Sequence, residues 1–249
     1  MEAFGLGLFM VSAGVFGTLI EAPASPLRAA IADPDLRRGL MGLAMGLTAV
    51  ALIYSPWGTR SGAHLNPAVT LTFLRLGKIA PADAALYVFS QLAGGVLGVL
   101  LVRAALGSSF GEPPVRMVVT VPGAAGSAAA FVAEVAISFL LMAVVLVVSN
   151  HPRKMRWTGV AAGTLVALYI TFEAPISGMS MNPARTLASA APSGVWTAIW
   201  VYLTAPLVGM LLAAEVYGRV ARVHCAKLHH THTAPCIFRC GYADPSKPS

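Results

Sequence analysis

The chain has 249 residues, 57% of them hydrophobic and only 11% charged, with mean hydropathy +0.73 and a formal net charge of +7. Soluble domains carry about 25% charged residues, so this composition excludes a globule covered by water on every side. The basic excess would suit a polyanion partner only if it were clustered, and its distribution along the chain argues for another cause.

Apolar runs suited to crossing a bilayer occur at Ala3–Ile20, Gly39–Tyr54, Ala84–Leu106, Ala128–Ser149, Gly159–Phe172 and Val195–Tyr217. A spanning helix needs about 20 residues, so flanking residues must complete the second and fifth runs. Six spans are expected. The first run has no basic segment before it and no small-x-small cleavage site after it, so it reads as a retained helix rather than a signal peptide. With both termini on the cytoplasmic side, eleven Lys and Arg residues fall inside and five (Arg28, Arg37, Arg38, Arg103, Arg116) outside. That is the positive-inside bias, and it makes the net charge a report of orientation.

The chain also repeats itself. Ser61-Gly62-Ala63-His64-Leu65-Asn66-Pro67-Ala68-Val69-Thr70-Leu71 aligns with Ser177-Gly178-Met179-Ser180-Met181-Asn182-Pro183-Ala184-Arg185-Thr186-Leu187. Each copy follows a span with a small-xxx-small pair, Gly42/Gly46 and Gly159/Gly163, which lets helices approach closely in lipid. Three spans per repeat is an odd number, so the second half must run inverted relative to the first. The expected units are a channel domain over 1–222, with repeats at about 1–110 and 127–222, and a tail over 223–249.

Asn is a favoured N-cap and Pro a favoured first helical residue. Short helices should therefore start at Asn66-Pro67-Ala68 and Asn182-Pro183-Ala184. The first should run to about Leu76 with Gly77 as its stop, and the second should end before Pro192 and Gly194. About ten residues at 1.5 Å make a rod of about 15 Å, half the hydrocarbon thickness. Two such half-helices entering from opposite faces meet at the midplane, where irregular backbone is tolerated only if buried or lining a wet cavity. Both positive dipole ends then face a pore. Each Asn can cap its own helix through its carbonyl and keep its amide free to donate to a passing molecule. Water oriented by two such donors cannot relay a proton.

The paired Asn-Pro-Ala boxes, the Ser-Gly-Ala-His-Leu lead-in and Asn-Pro-Ala-Arg in the second copy resemble the aquaporin (major intrinsic protein) family over about residues 2–219. Glu2, Gln91, Glu134 and Pro206 extend the likeness. The resemblance implies an all-α integral membrane fold: six transmembrane helices plus two re-entrant half-helices in an inverted repeat, assembled as a homotetramer in the plasma membrane with one pore per subunit. It implies a passive channel for water and small uncharged solutes, with no cofactor in the pore. By the same resemblance Arg185 lines the outer constriction beside Met179, Ile170 and either Met45 or Gly46, depending on the length of the 55–61 loop.

The filter departs from both main branches. Water channels usually carry an aromatic and a His there, and glycerol facilitators carry two aromatics. Thr186, Ala190 and Tyr202 lean towards water and Leu203 towards glycerol. A glycerol or small-solute facilitator is therefore the alternative, followed by an ion-coupled transporter. The latter needs ionisable residues at the midplane, and the spans offer Glu134. By resemblance Glu134 accepts hydrogen bonds from loop backbone; a proton relay is the other reading. Glu2 either does the same or is solvated, and His64 either braces its loop or gates it. No nucleophile–base pair lies in the spans, which argues against an enzyme.

The tail differs in composition. All three cysteines and four of the six histidines lie within His224–Cys240. Cys225, His229, Cys236 and Cys240 form a candidate Zn2+ set, with His224, His230 and His232 as spares. A solvated tail or lipidation of Cys225 are the alternatives.

Overall fold

The computed structural model describes residues 1–230 and 236–242. Its long helices are α1 (Glu2–Glu21), α2 (Pro34–Tyr54), the half-helix α3 (Pro67–Arg75), α4 (Pro81–Leu106), α5 (Gly126–Ser149), α6 (Thr158–Phe172), the half-helix α7 (Pro183–Ser193) and α8 (Ile199–Val220). Together α1, α2, α4, α5, α6 and α8 form the six spans. Five of them are long and apolar enough to cross a membrane alone. The 15-residue α6 is extended by single turns at Met155–Trp157 and Ala174–Ser177.

Local chemistry sets the ends. α2 begins five residues before the apolar run because the Asp33 carboxylate caps Asp35 N–H and Leu36 N–H, with Pro34 in the first turn. Its polar first turn is held by Arg37, which is buried and bridges Glu21 at 3.0 Å while donating to the carbonyls of Ile31 and Ala32. α8 begins later than the apolar run because Ala198 takes a left-handed conformation (φ +49°). α3 stops as its sequence dictates: Gly77 sits at φ +70° and Lys78 N–H reaches back to the Phe73 carbonyl. α7 does not stop before Pro192. The proline is accommodated in the last turn, and Gly194 at φ +68° ends the helix one residue after Ser193. Ser193 Oγ donates to the Ser189 and Ala190 carbonyls, which satisfies acceptors in this irregular turn.

The packing follows the inverted repeat. α1 lies on α4 as α5 lies on α8, and α2 crosses α6 between the halves. That crossing depends on small residues: a Cβ on Gly46 would stand 2.6 Å from the Gly163 carbonyl oxygen, and one on Gly163 2.6 Å from that of Gly46. The half-helices rest on α4 and α8, each touching a span from its own half and one from the other.

The tail folds back against the channel. Val223, Ala226 and Leu228 are buried in the same apolar cluster as Ile53, Ala63 and Val145. Backbone bonds run from Leu228 N–H to the Gly62 carbonyl and from Arg239 N–H to the Lys78 carbonyl, both at 3.1 Å.

Candidate pore

The two loops that precede the half-helices share an unusual backbone. Gly62, Ala63 and Leu65 have φ of +89°, +54° and +48°; Gly178, Met179 and Met181 have +85°, +52° and +54°. Non-glycine residues in this region cost about 1–3 kcal/mol each, so the surroundings must over-determine the loops. A buried carboxylate does so in each half. Glu134 accepts from Ser180 N–H (2.6 Å), Met181 N–H (2.7 Å) and Ser177 Oγ (2.9 Å). Glu2 is not solvated: it accepts from Ser61 Oγ (2.7 Å), Leu65 N–H (2.7 Å) and Gln91 Nε2 (2.8 Å). Tyr87 and Tyr202 donate to the Ser61 and Ser177 carbonyls at 2.8 and 2.6 Å.

Each Asn caps its own half-helix. Asn66 Oδ1 accepts from Ala68 N–H at 2.8 Å; Asn182 Oδ1 accepts from Ala184 N–H at 3.0 Å and Arg185 N–H at 3.2 Å. Their amides are not wholly free, however. Asn66 Nδ2 donates to the Met181 carbonyl (2.7 Å) and Asn182 Nδ2 to the Leu65 carbonyl (2.8 Å). An amide carries two N–H groups, so the cross-bond holds one and leaves the other for a solute. Pro67, Ala68, Pro183 and Ala184 are buried behind the caps.

One cavity of about 490 Å3 is lined by Asn66, Asn182, Arg185, Met179, Ile170 and Met45 together. Met45, not Gly46, faces it, because Gly46 is turned against Gly163 on α6. At one end the lining includes Glu21, Arg37 and Arg38, and towards the tail Ile53, His64 and Leu228. Arg185 Nη1 is buried and makes no hydrogen bond to any described residue, so a guanidinium donor remains for whatever occupies the cavity. Phe9, Val119 and Leu228 also form its wall. No motif marks these residues; their place comes from packing alone.

His64 braces its loop through both nitrogens, Nδ1 to Thr70 Oγ1 (3.1 Å) and Nε2 to the Ala226 carbonyl (2.9 Å). Its ring is stacked between Phe73 (centroids 5.1 Å apart) and the tail's Phe238 (5.5 Å).

In the tail, one ligand atom each from Cys225, His230, Cys236 and Cys240 lies within 4.8 Å of the others. The expected histidine is thus exchanged. His229, next to His230 in a bend, faces the other way, edge-on to Tyr54 at 4.9 Å. His224 stacks on Tyr242, and His232 lies outside the described residues. The Cys225 thiol, hydrogen-bonded to Cys236 across 3.5 Å, holds the Cys236 thiol down to about 4 and is itself raised.

The profile of the Major intrinsic protein family matches residues 3–217. A Nicotiana alata protein named as a NIP-type aquaporin is 38% identical over 177 residues, covering 70% of this chain and 63% of that one. Aquaporin NIP6-1 of Arabidopsis thaliana is 37% identical over 205 residues, covering 81% of this chain and 65% of the relative. Among solved structures, the aquaglyceroporin from Plasmodium falciparum superposes with a TM-score of 0.66 at 22% identity, over 88% of this chain and 93% of that one. With the family profile running through both capped loops and all six spans, the chain belongs to the Major intrinsic protein family.

Proposed function

We propose that the chain is a passive channel for water and small uncharged solutes that excludes ions and protons. The observation that carries this reading is the pair of half-helix N-termini meeting across reciprocal Asn66 and Asn182 caps inside one cavity. Two positive dipole ends and two remaining amide N–H groups present donors only, so a water molecule there turns its oxygen inward and breaks any proton chain. Arg185 adds a fixed positive charge that repels cations. Glu134 has its oxygens engaged by loop donors, which argues against a proton-coupled transporter. The basic residues favour an orientation in a plasma membrane with both termini cytoplasmic, so the tail covers the cytoplasmic mouth. A homotetramer follows the family habit.

A second reading, a wider range of neutral solutes, is favoured by the filter itself. Met45, Ile170 and Met179 put three apolar, ringless side chains in the cavity that Arg185 also lines. The names of the relatives, aquaporins on one side and an aquaglyceroporin on the other, are compatible with both.

Stopped-flow shrinkage of proteoliposomes in sucrose, glycerol and urea tests both readings. Facilitated water flux with low activation energy and no proton current is expected, and Arg185→Val should admit cations. Solute accumulation against a gradient, driven by Na+ or H+, would defeat the channel reading.

A further inference from the structure

We propose that Cys225, His230, Cys236 and Cys240 bind one thiophilic divalent cation, Zn2+ in kind, and that this ion clamps the tail across the cytoplasmic mouth so that metal loading restricts the pore. The clamp rests on the channel reading; the metal site does not.

A tetrahedral Zn2+ with Zn–S of about 2.3 Å and Zn–N of about 2.0–2.1 Å needs S···S separations of about 3.8 Å and S···N of about 3.6 Å. The structure has Cys225 Sγ and Cys236 Sγ at 3.5 Å, Cys240 Sγ and His230 Nε2 at 3.2 Å, and all four ligand atoms within 4.8 Å. Shifts of a few tenths of an ångström to about an ångström would admit the ion. Three cysteines and one imidazole make a closed structural set rather than an open catalytic one, and any cysteine still protonated gives up its proton to solvent as it binds. The ligands come from two segments, 225–230 and 236–240, so one ion would close the loop between them.

Both segments sit on the mouth. On one side Leu228 N–H donates to the Gly62 carbonyl, the Ala226 carbonyl meets His64, and Phe238 stacks on the His64 ring. On the other, His224 N–H reaches Asn150 Oδ1 (2.5 Å) and Tyr242 OH reaches the Ser149 carbonyl (3.1 Å) at the end of α5. The tail therefore bridges the first-repeat loop to a span of the second, and Leu228, 5% exposed, lines the cavity from below.

The test uses the full-length chain in detergent, loaded with Zn2+ under reducing conditions and desalted before metal is counted. One ion per chain is expected. Binding should be lost in a Cys236→Ser/Cys240→Ser variant and in His230→Ala, and kept in His229→Ala. Co2+ loading should give the visible bands of a tetrahedral thiolate site. In proteoliposomes, chelation should raise water flux in the parent and added Zn2+ should lower it again, while the double variant ignores both. Metal well below one per chain, equal binding by His230→Ala and the parent, or a Cys225–Cys236 disulfide in place of the ion overturns the site. One ion per chain with flux indifferent to it overturns the clamp. A preparation that conducts nothing in either state sinks the pore reading and the clamp with it, while the zinc count judges the ligand set separately.

Discussion

The two loops that line the pore are built alike and finished differently. Each has a Gly-led left-handed backbone, a buried glutamate accepting loop donors, a tyrosine on the lead-in serine carbonyl and an Asn cap. At the equivalent fourth position the first repeat has His64 and the second Ser180. Ser180 closes on Thr186 of the half-helix that follows it, whereas His64 spans from Thr70 to the tail. The shared parts shape the cavity, and the exchange at this position gives the first-repeat mouth a handle to which something else can attach.

Removing the braces is expected to have the largest effect. Glu134→Ala would orphan three buried donors at about 1–3 kcal/mol each, so thermal unfolding in detergent should fall sharply or folded protein should be lost. Glu2→Ala removes the same number of bonds, but it sits in the first turn of α1, where the chain can relax. A smaller loss is expected there, and equal losses would show that the halves depend on their braces alike. Next comes Gly163→Ala, which forces a methyl against the Gly46 carbonyl and should cost about 1–3 kcal/mol, read as a lower unfolding temperature. Smallest is Phe238→Ala. It removes a ring stack worth about 0.5–1.5 kcal/mol from the first-repeat mouth alone. Protease should then cut the tail faster while the unfolding temperature of the spans barely moves; a large drop would mean that the tail holds the channel core.

Much of this was legible in the sequence because the signals are local. Apolar length marks the spans, and Asn-Pro marks both half-helix starts to the residue. The two glutamates could be paired with their loops only through the family resemblance, since a buried acid states no partner of its own. What escaped depends on direction rather than composition. Met45 and Gly46 are neighbours on one helix, and only the crossing with α6 decides which faces the cavity. His229 and His230 are neighbours in a tail with no period, so spacing could not choose between them. Pro192 is a breaker by rule, yet as the next-to-last residue it removes a single backbone bond, and Ser193 Oγ supplies a donor to the Ser189 and Ala190 carbonyls in the same turn. Leu228 and Phe238 reach the mouth by a path that no pattern announces.

The crossed asparagines also impose an order on synthesis. Asn66 needs the Met181 carbonyl, 115 positions later, and Asn182 needs that of Leu65, 117 positions earlier. At about 5–20 residues per second, a ribosome takes roughly 6–23 s to supply the missing acceptor. Throughout that interval the Asn66 amide N–H and the Leu65 carbonyl lack the partners of the folded chain, and hydrocarbon would punish both if the loop entered it early. Glu2, made before any of it, is the one brace available from the outset. The insertion machinery, or water held beside the nascent helices, must shelter the loop until the other half of the gene has been read.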